Sequence, residues 1–136
     1  MGVRRRAREN ALKMLYAREV GSHPLEEVIG FFWELFEPDP EGRDFTEKLV
    51  RGTVEHLEEL DQSIQEVSIH WKISRMAFVD RNILRMAAYE LFYIKEVPKR
   101  VTLNEAIEIA KRYGTEESWA FINGILDKLA ESIEES

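Results

Sequence analysis

Apolar residues recur at intervals of three and four along nearly the whole chain, and no stretch shows the strict alternation of a strand. Ala7, Ala11, Leu12, Met14, Leu15 and Tyr16 share one broad face, which predicts a first helix ending before Gly21, a residue suited to a C-cap. Pro24 fits the first position of a second helix, after a cap from Ser22 or His23, with Leu25, Val28, Ile29, Phe32 and Phe36 inward. Glu37 to Gly42 holds two prolines and a glycine and reads as a loop. A third helix then carries Phe45, Leu49, Thr53, Leu57, Leu60 and Ile64, either broken near Asp61 or running on toward Val67, with His56 as a core or boundary residue.

Trp71 and Ile73 fall in a short connection. The next helix, capped by Ser74 or restarted at Asp80, holds Phe78, Val79, Ile83, Met86, Ala87, Leu91 and Ile94. Glu90 lies in the middle of that apolar face, where a carboxylate needs donors; the backbone N–H groups of the following helix start are the expected source. Val97-Pro98 ends the helix, and Thr102-Leu103-Asn104-Glu105 has the form of a capping box. A further helix runs to Tyr113-Gly114, and a last one begins at Thr115 with Phe121, Ile122, Ile125, Leu126, Leu129 and Ile133 inward. Gly124 inside it predicts a close approach by another backbone, since glycine there costs about 1 kcal/mol against alanine. The fold class is all-α, in one domain over residues 1–136.

Charge changes this picture more than composition does. The formal net charge is −7, but residues 1–20 carry +4, residues 21–67 carry −10, residues 68–113 carry +4 and residues 114–136 carry −5. Arg4, Arg5, Arg6 and Arg8 fall within five residues of one another, and their guanidinium forks match phosphate oxygens and can stack on bases. Residues 1–8 are therefore expected to form a flexible arm that binds RNA or DNA, while the acidic remainder opposes nonspecific binding. Single-stranded nucleic acid is read by stacking bases on aromatic or arginine planes while cations hold the backbone, and Tyr16, Trp119 and Phe121 would supply rings for that purpose if the fold brings them to the arginines. The alternatives are a core role for Phe121, which lies on the apolar stripe of the last helix, and simple exposure or a dimer contact for Trp119.

The chain has no cysteine, which excludes disulfides, thiolate catalysis and sulfur-based zinc sites. Its three histidines have no ligand spacing, no glycine-rich phosphate loop is present, and adjacent pairs such as Glu58-Glu59 diverge on a helix. No catalytic residue, cofactor or metal site is expected. No signal peptide or membrane span is visible, so the expectation is a soluble, cytoplasmic binding protein.

Three blocks carry a family resemblance. They are Arg4-Arg5-Arg6-Ala7-Arg8-Glu9 with Ala11, Leu15 and Tyr16; Val79-Asp80-Arg81-Asn82-Ile83-Leu84-Arg85-Met86-Ala87-Ala88-Tyr89-Glu90-Leu91; and Asn104 to Lys111 with Tyr113-Gly114 and Phe121 to Asp127. Together they resemble the bacterial transcription antitermination factors of the NusB family, in the family's order and over nearly the whole chain. The resemblance implies a compact bundle of six to seven helices in two small helical subdomains. It also implies binding of boxA RNA together with NusE, a small-subunit ribosomal protein, and action on RNA polymerase that suppresses termination on ribosomal RNA operons.

In the family the arginine-rich start contacts RNA, which maps to Arg4, Arg5, Arg6 and Arg8, and Tyr16 also matches. Glu117 and Phe121 match positions at or near the RNA surface, and Asp80 matches an acidic position on the partner-protein side. A lysine common before the phenylalanine is replaced by Ala120. Two alternatives to this function are a helical protein-interaction module without RNA binding and a regulatory domain like that of ribosomal RNA methyltransferases; 136 residues leave little room for a cofactor domain. Both monomers and homodimers are compatible with the family.

Overall fold

The computed structural model describes residues 2–36 and 40–133. Within them lie seven α-helices: α1 Val3–Gly21, α2 Leu25–Leu35, α3 Pro40–Glu55, α4 Leu57–Val67, α5 Phe78–Tyr93, α6 Lys99–Tyr113 and α7 Ser118–Ser132, with a 3₁₀ turn at Ile73–Arg75 before α5. Helices α1 to α3 form one small group and α4 to α7 a second. Helix α5 joins the two, packing on α1 and α3 on one side and on α4, α6 and α7 on the other. It is the most buried element, with every residue from Asn82 to Leu91 inside, and one continuous apolar core runs through both groups. The all-α bundle of two subdomains is as expected.

The helix boundaries differ in instructive ways. The arginine stretch is part of α1, which is helical from Val3, so residues 3–8 are not a flexible arm. Ser22, not Gly21, takes the left-handed conformation that ends α1, at φ 55°. Gly21 instead leaves room for the His23 ring, which a Cβ there would meet at 2.6 Å. Pro24 caps α2 from just outside. Part of the predicted loop, residues 37–39, lies outside the described residues; Pro40 and Gly42 belong to α3, proline being tolerated where no intrahelical N–H is needed.

The third predicted helix is two, parted at His56 rather than near Asp61. The His56 ring stacks on Tyr93, with ring centres 4.3 Å apart, and its Nδ1 lies 2.5 Å from Glu59. Neither Ser74 nor Asp80 caps α5. Instead the carbonyls of Ile73 and Ser74 accept from the Arg81 guanidinium, and Asp80 sits in the first turn of α5, where the helix dipole favours a negative charge. Helix α7 starts at Ser118, later than Thr115, and the Ser118 hydroxyl accepts the Thr115 N–H.

Two expectations about close contacts are corrected. A Cβ at Gly124 would meet nothing within 4 Å, so no backbone approaches it. The close approach is at Gly52 on α3, where a Cβ would fall 2.0 Å from the Tyr89 ring of α5. The capping box is likewise absent: α6 begins at Lys99 after Pro98, three residues before Thr102, so both polar side chains lie within the helix and turn to other partners.

Candidate nucleic-acid interface

Those partners sit on α5 and α1. The Arg8 guanidinium donates two hydrogen bonds, each 2.9 Å, to the two oxygens of Glu90, and the Thr102 hydroxyl donates to the same carboxylate at 2.5 Å. All three side chains are buried, Arg8 at 4% exposure and Glu90 at 2%. Glu90 is therefore satisfied by side chains of α1 and α6 rather than by backbone N–H groups. Arg5 makes a second fork, to Glu105 at 2.9 and 2.6 Å. Hydrogen bonds from Arg5 hold the Glu105 carboxyl below the usual carboxylate range.

At the far end of α1, Glu19 accepts from Arg81, Asn82 and Arg85 of α5, and Arg85 also forks onto Asp61 of α4. Helices α1 and α5 are thus antiparallel and pinned at both ends by charge-assisted bonds. Along its other side α1 runs parallel to α6, with Arg112 3.3 Å from Glu9 and the Lys13 ammonium 5.8 Å from the Tyr113 ring centre. The two basic segments of the sequence, residues 1–20 and 68–113, are consequently neighbours in space.

The four arginines divide. Arg8 points into the core and Arg5 is engaged by Glu105. Arg4 and Arg6 are exposed; Arg4 lies over the Phe45 ring at 4.7 Å. Arg6, Lys13 and Tyr16 follow one another at steps of seven and three, so they share one face of α1, and all three are exposed. Tyr16 meets the edge of Phe78, with ring centres 6.4 Å apart, and the Arg81 guanidinium covers the same Phe78 ring at 4.4 Å.

Phe78 opens α5 beside a cleft of about 310 Å³ lined by Trp71, Lys72, Arg75, Asp80, Glu117 and Phe121 among others. Asp80, Glu117 and Phe121, which the sequence reading assigned to two different surfaces, share this cleft. Phe121 is half-buried against the core and meets Trp71 at right angles, ring centres 5.8 Å apart. Trp119 stands apart from the cleft lining; it is exposed, with the Lys111 ammonium 5.3 Å from its ring. Lys111 thus places a cation over Trp119, the residue before the exposed Ala120.

Sequence reasoning missed Lys13, Lys111 and Arg112 as part of this surface, and Trp71 as part of the cleft. The first three were legible as cations on helical faces next to Tyr16 and Trp119. Trp71 was not, because only the folded connection between α4 and α5 sets it against Phe121. Among the described residues no group of three or more His, Asp or Glu side chains is arranged to hold a metal, and no helix is long and apolar enough to cross a membrane.

The fold and this surface define a class: a small all-helical protein whose exposed arginines, lysines and rings suit a single-stranded polyanion. More particularly, the chain belongs to the NusB family, which it matches over residues 5–131. It is 48% identical to the transcription antitermination protein NusB of Sorangium cellulosum, covering 98% of this chain and 95% of the relative, and 53% identical to that of Trichlorobacter lovleyi, covering 95% and 91%. Among solved structures, T. maritima NusB superposes with a TM-score of 0.87 at 40% identity, over 95% of this chain and 91% of that one. A NusB solved with NusE and double-stranded RNA gives 0.87 at 26% identity, over 96% and 98%.

Proposed function

We infer that this chain is an RNA-binding transcription antitermination factor: with NusE it binds boxA RNA and promotes antitermination by RNA polymerase on ribosomal RNA operons. One observation carries the reading. Arg6, Lys13 and Tyr16 are three exposed side chains on one face of α1, spread over about 15 Å at 1.5 Å per residue, on a line that leads toward the cleft holding Glu117 and Phe121. Cations along a line with rings at its end are the elements by which single-stranded RNA is held and its bases stacked. Lys111 and Trp119 widen the same surface, whereas Arg4, two positions from Arg6, projects toward Phe45 of α3, and Asp80 lies in the cleft beside Glu117 and Phe121. The role is binding, not catalysis, and it is exercised in the cytoplasm on nascent transcripts.

The segment 21–67, whose described residues fall mostly on α2, α3 and α4, carries a charge of −10, which opposes RNA binding by the protein alone. A basic partner that extends the arginine surface should tighten it, and linkage requires RNA to tighten the partner by the same factor. Calorimetry with boxA RNA, in the presence and absence of NusE, tests this. Equal RNA affinities in the two titrations would refute the cooperative role, and absence of RNA binding in both would leave a protein-interaction module.

A further inference from the structure

The connection between α4 and α5 is built with more care than a linker needs. The Gln65 amide donates to the carbonyls of Ser68 and Trp71, both at 3.0 Å, and its oxygen accepts the Ile73 N–H at 2.9 Å. The Ser68 hydroxyl, itself buried, donates to the Trp71 carbonyl at 3.0 Å, so that carbonyl is held from two sides. Arg81 then fixes the carbonyls of Ile73 and Ser74. Everything that is pinned is backbone. The Trp71 ring, between these anchors, is 60% exposed, touching Phe121 only edge to face.

A large ring kept in water on a fixed backbone has little to contribute to the core, and it loses no loop freedom when a ligand arrives. Its surroundings say what kind of ligand fits. Lys72 and Arg75 flank it as two exposed cations, and Asp80 and Glu117 line the same cleft as two carboxylates. A planar group with N–H donors on its edge, carried on an anionic chain, satisfies all three features: the plane on tryptophan, the edge on a carboxylate and the phosphates on the cations. That description is an unpaired nucleotide with an amino-bearing base.

We propose that Trp71 is the stacking platform for one splayed RNA base, seated in the cleft with Phe121 at its back, and that the α4–α5 connection thereby extends the RNA surface beyond α1 and α7. The proposal rests on the RNA-binding reading above. It adds a residue outside the positions that the family resemblance points to, and it gives Lys72 and Arg75 a role in holding the adjoining phosphates.

The test compares boxA RNA affinity, with NusE present, for the parent protein, Trp71→Ala, Trp71→Leu and Trp71→Phe, each at several salt concentrations and beside a thermal melt. Base–aromatic stacking predicts that Trp71→Ala and Trp71→Leu bind roughly fivefold to a hundredfold more weakly, while Trp71→Phe keeps most of the affinity. The slope of log affinity against log salt should stay that of the parent in all three, because no charge is removed. The melts should also match, since the ring is mostly exposed.

If Trp71→Ala binds like a parent that does bind RNA, the platform is refuted and the RNA reading stands. If Trp71→Leu retains parental affinity, bulk rather than a π-face is what counts, and the platform is again refuted. A variant that loses NusE while keeping RNA affinity would make Trp71 a protein contact instead. A parent that binds no RNA with or without NusE overturns the underlying reading and this proposal together.

Discussion

Removing Arg4 and Arg6 together is the sharpest test of how the arginine run is used. A single-stranded phosphate contact contributes about −0.7 to the slope of log affinity against log salt, so four contacts from the run would give about −2.8 and two about −1.4. The structure supports the smaller number, because Arg5 and Arg8 are already bound to Glu105 and Glu90, and only Arg4 and Arg6 are exposed without a carboxylate within ion-pair distance among the described residues. Raising salt fourfold should then weaken the run's share of binding by roughly sevenfold rather than roughly fiftyfold. Arg4→Ala/Arg6→Ala should flatten the measured slope by about 1.4 and leave the melting temperature near that of the parent. Arg8→Ala should act in the opposite way. It strands Glu90 in the core, so stability should fall by about 3–5 kcal/mol, the range for breaking a buried pair on one side. The assay is RNA affinity at four or five salt concentrations beside urea unfolding for each variant. A slope unchanged by Arg4→Ala/Arg6→Ala, or an Arg8→Ala protein that unfolds like the parent, would refute the division of the run into two outward and two inward residues.

The two informative glycines should respond with opposite signs. Gly52→Ala drives a methyl into the Tyr89 ring and should destabilise by about 1–3 kcal/mol, whereas Gly124→Ala, in open space on an exposed helix face, should stabilise by up to about 1 kcal/mol; urea unfolding of both variants decides it. The Arg5–Glu105 fork predicts a pH dependence. Because Arg5 lowers the folded-state pKa of Glu105 from 4.5, its contribution to stability is present above that value and is lost as pH falls through the lower folded value. Glu105→Gln should therefore make the acid limb of the stability curve shallower while leaving the slope between pH 6 and 8 unchanged, and an acid limb identical to the parent's would contradict this.

Much of the bundle was legible because burial at three-and-four spacing is a one-dimensional signal. The limits of that signal are visible at particular residues. Arg8 lies three, four and seven positions before Ala11, Leu12 and Leu15, so it occupies the buried stripe of α1, just as Glu90 occupies that of α5. Two unlike charges on two buried stripes could have been paired with each other from the sequence; the phosphate-binding appearance of the run hid it. The break at His56 was not legible: His56 stacks on Tyr93, 37 positions away, a contact that no local pattern contains. The capping box failed because the helix begins three residues earlier, after Pro98, and Thr102 and Glu105 bond instead to Glu90 of α5 and Arg5 of α1. Gly124 and Gly52 make the same point from the packing side, because a glycine's reason is whatever faces it, and sequence does not contain that neighbour.

The inward arginine and the outward ones are parts of one arrangement. Arg8–Glu90 near one end of α1 and Glu19 with Arg81 and Arg85 near the other tie that helix to α5, the element that bridges both halves of the core. The stripe from Arg6 to Tyr16 is therefore carried on a rigid bar whose position relative to Phe78 and the cleft is set before RNA arrives. Preorganisation of this kind reduces the ordering cost of binding, which matters for a chain whose net charge of −7 opposes a polyanion. It also limits what a protein partner can do. If NusE tightens RNA binding as proposed, then with α1 fixed it has little room to act by rearranging the RNA surface, and its effect on affinity must come from basic or polar groups of its own placed alongside that surface. On that reading coupling would reside in RNA spanning both proteins, and it should survive substitutions in the core of either as long as the fold holds, while depending steeply on the length of RNA that reaches across the junction.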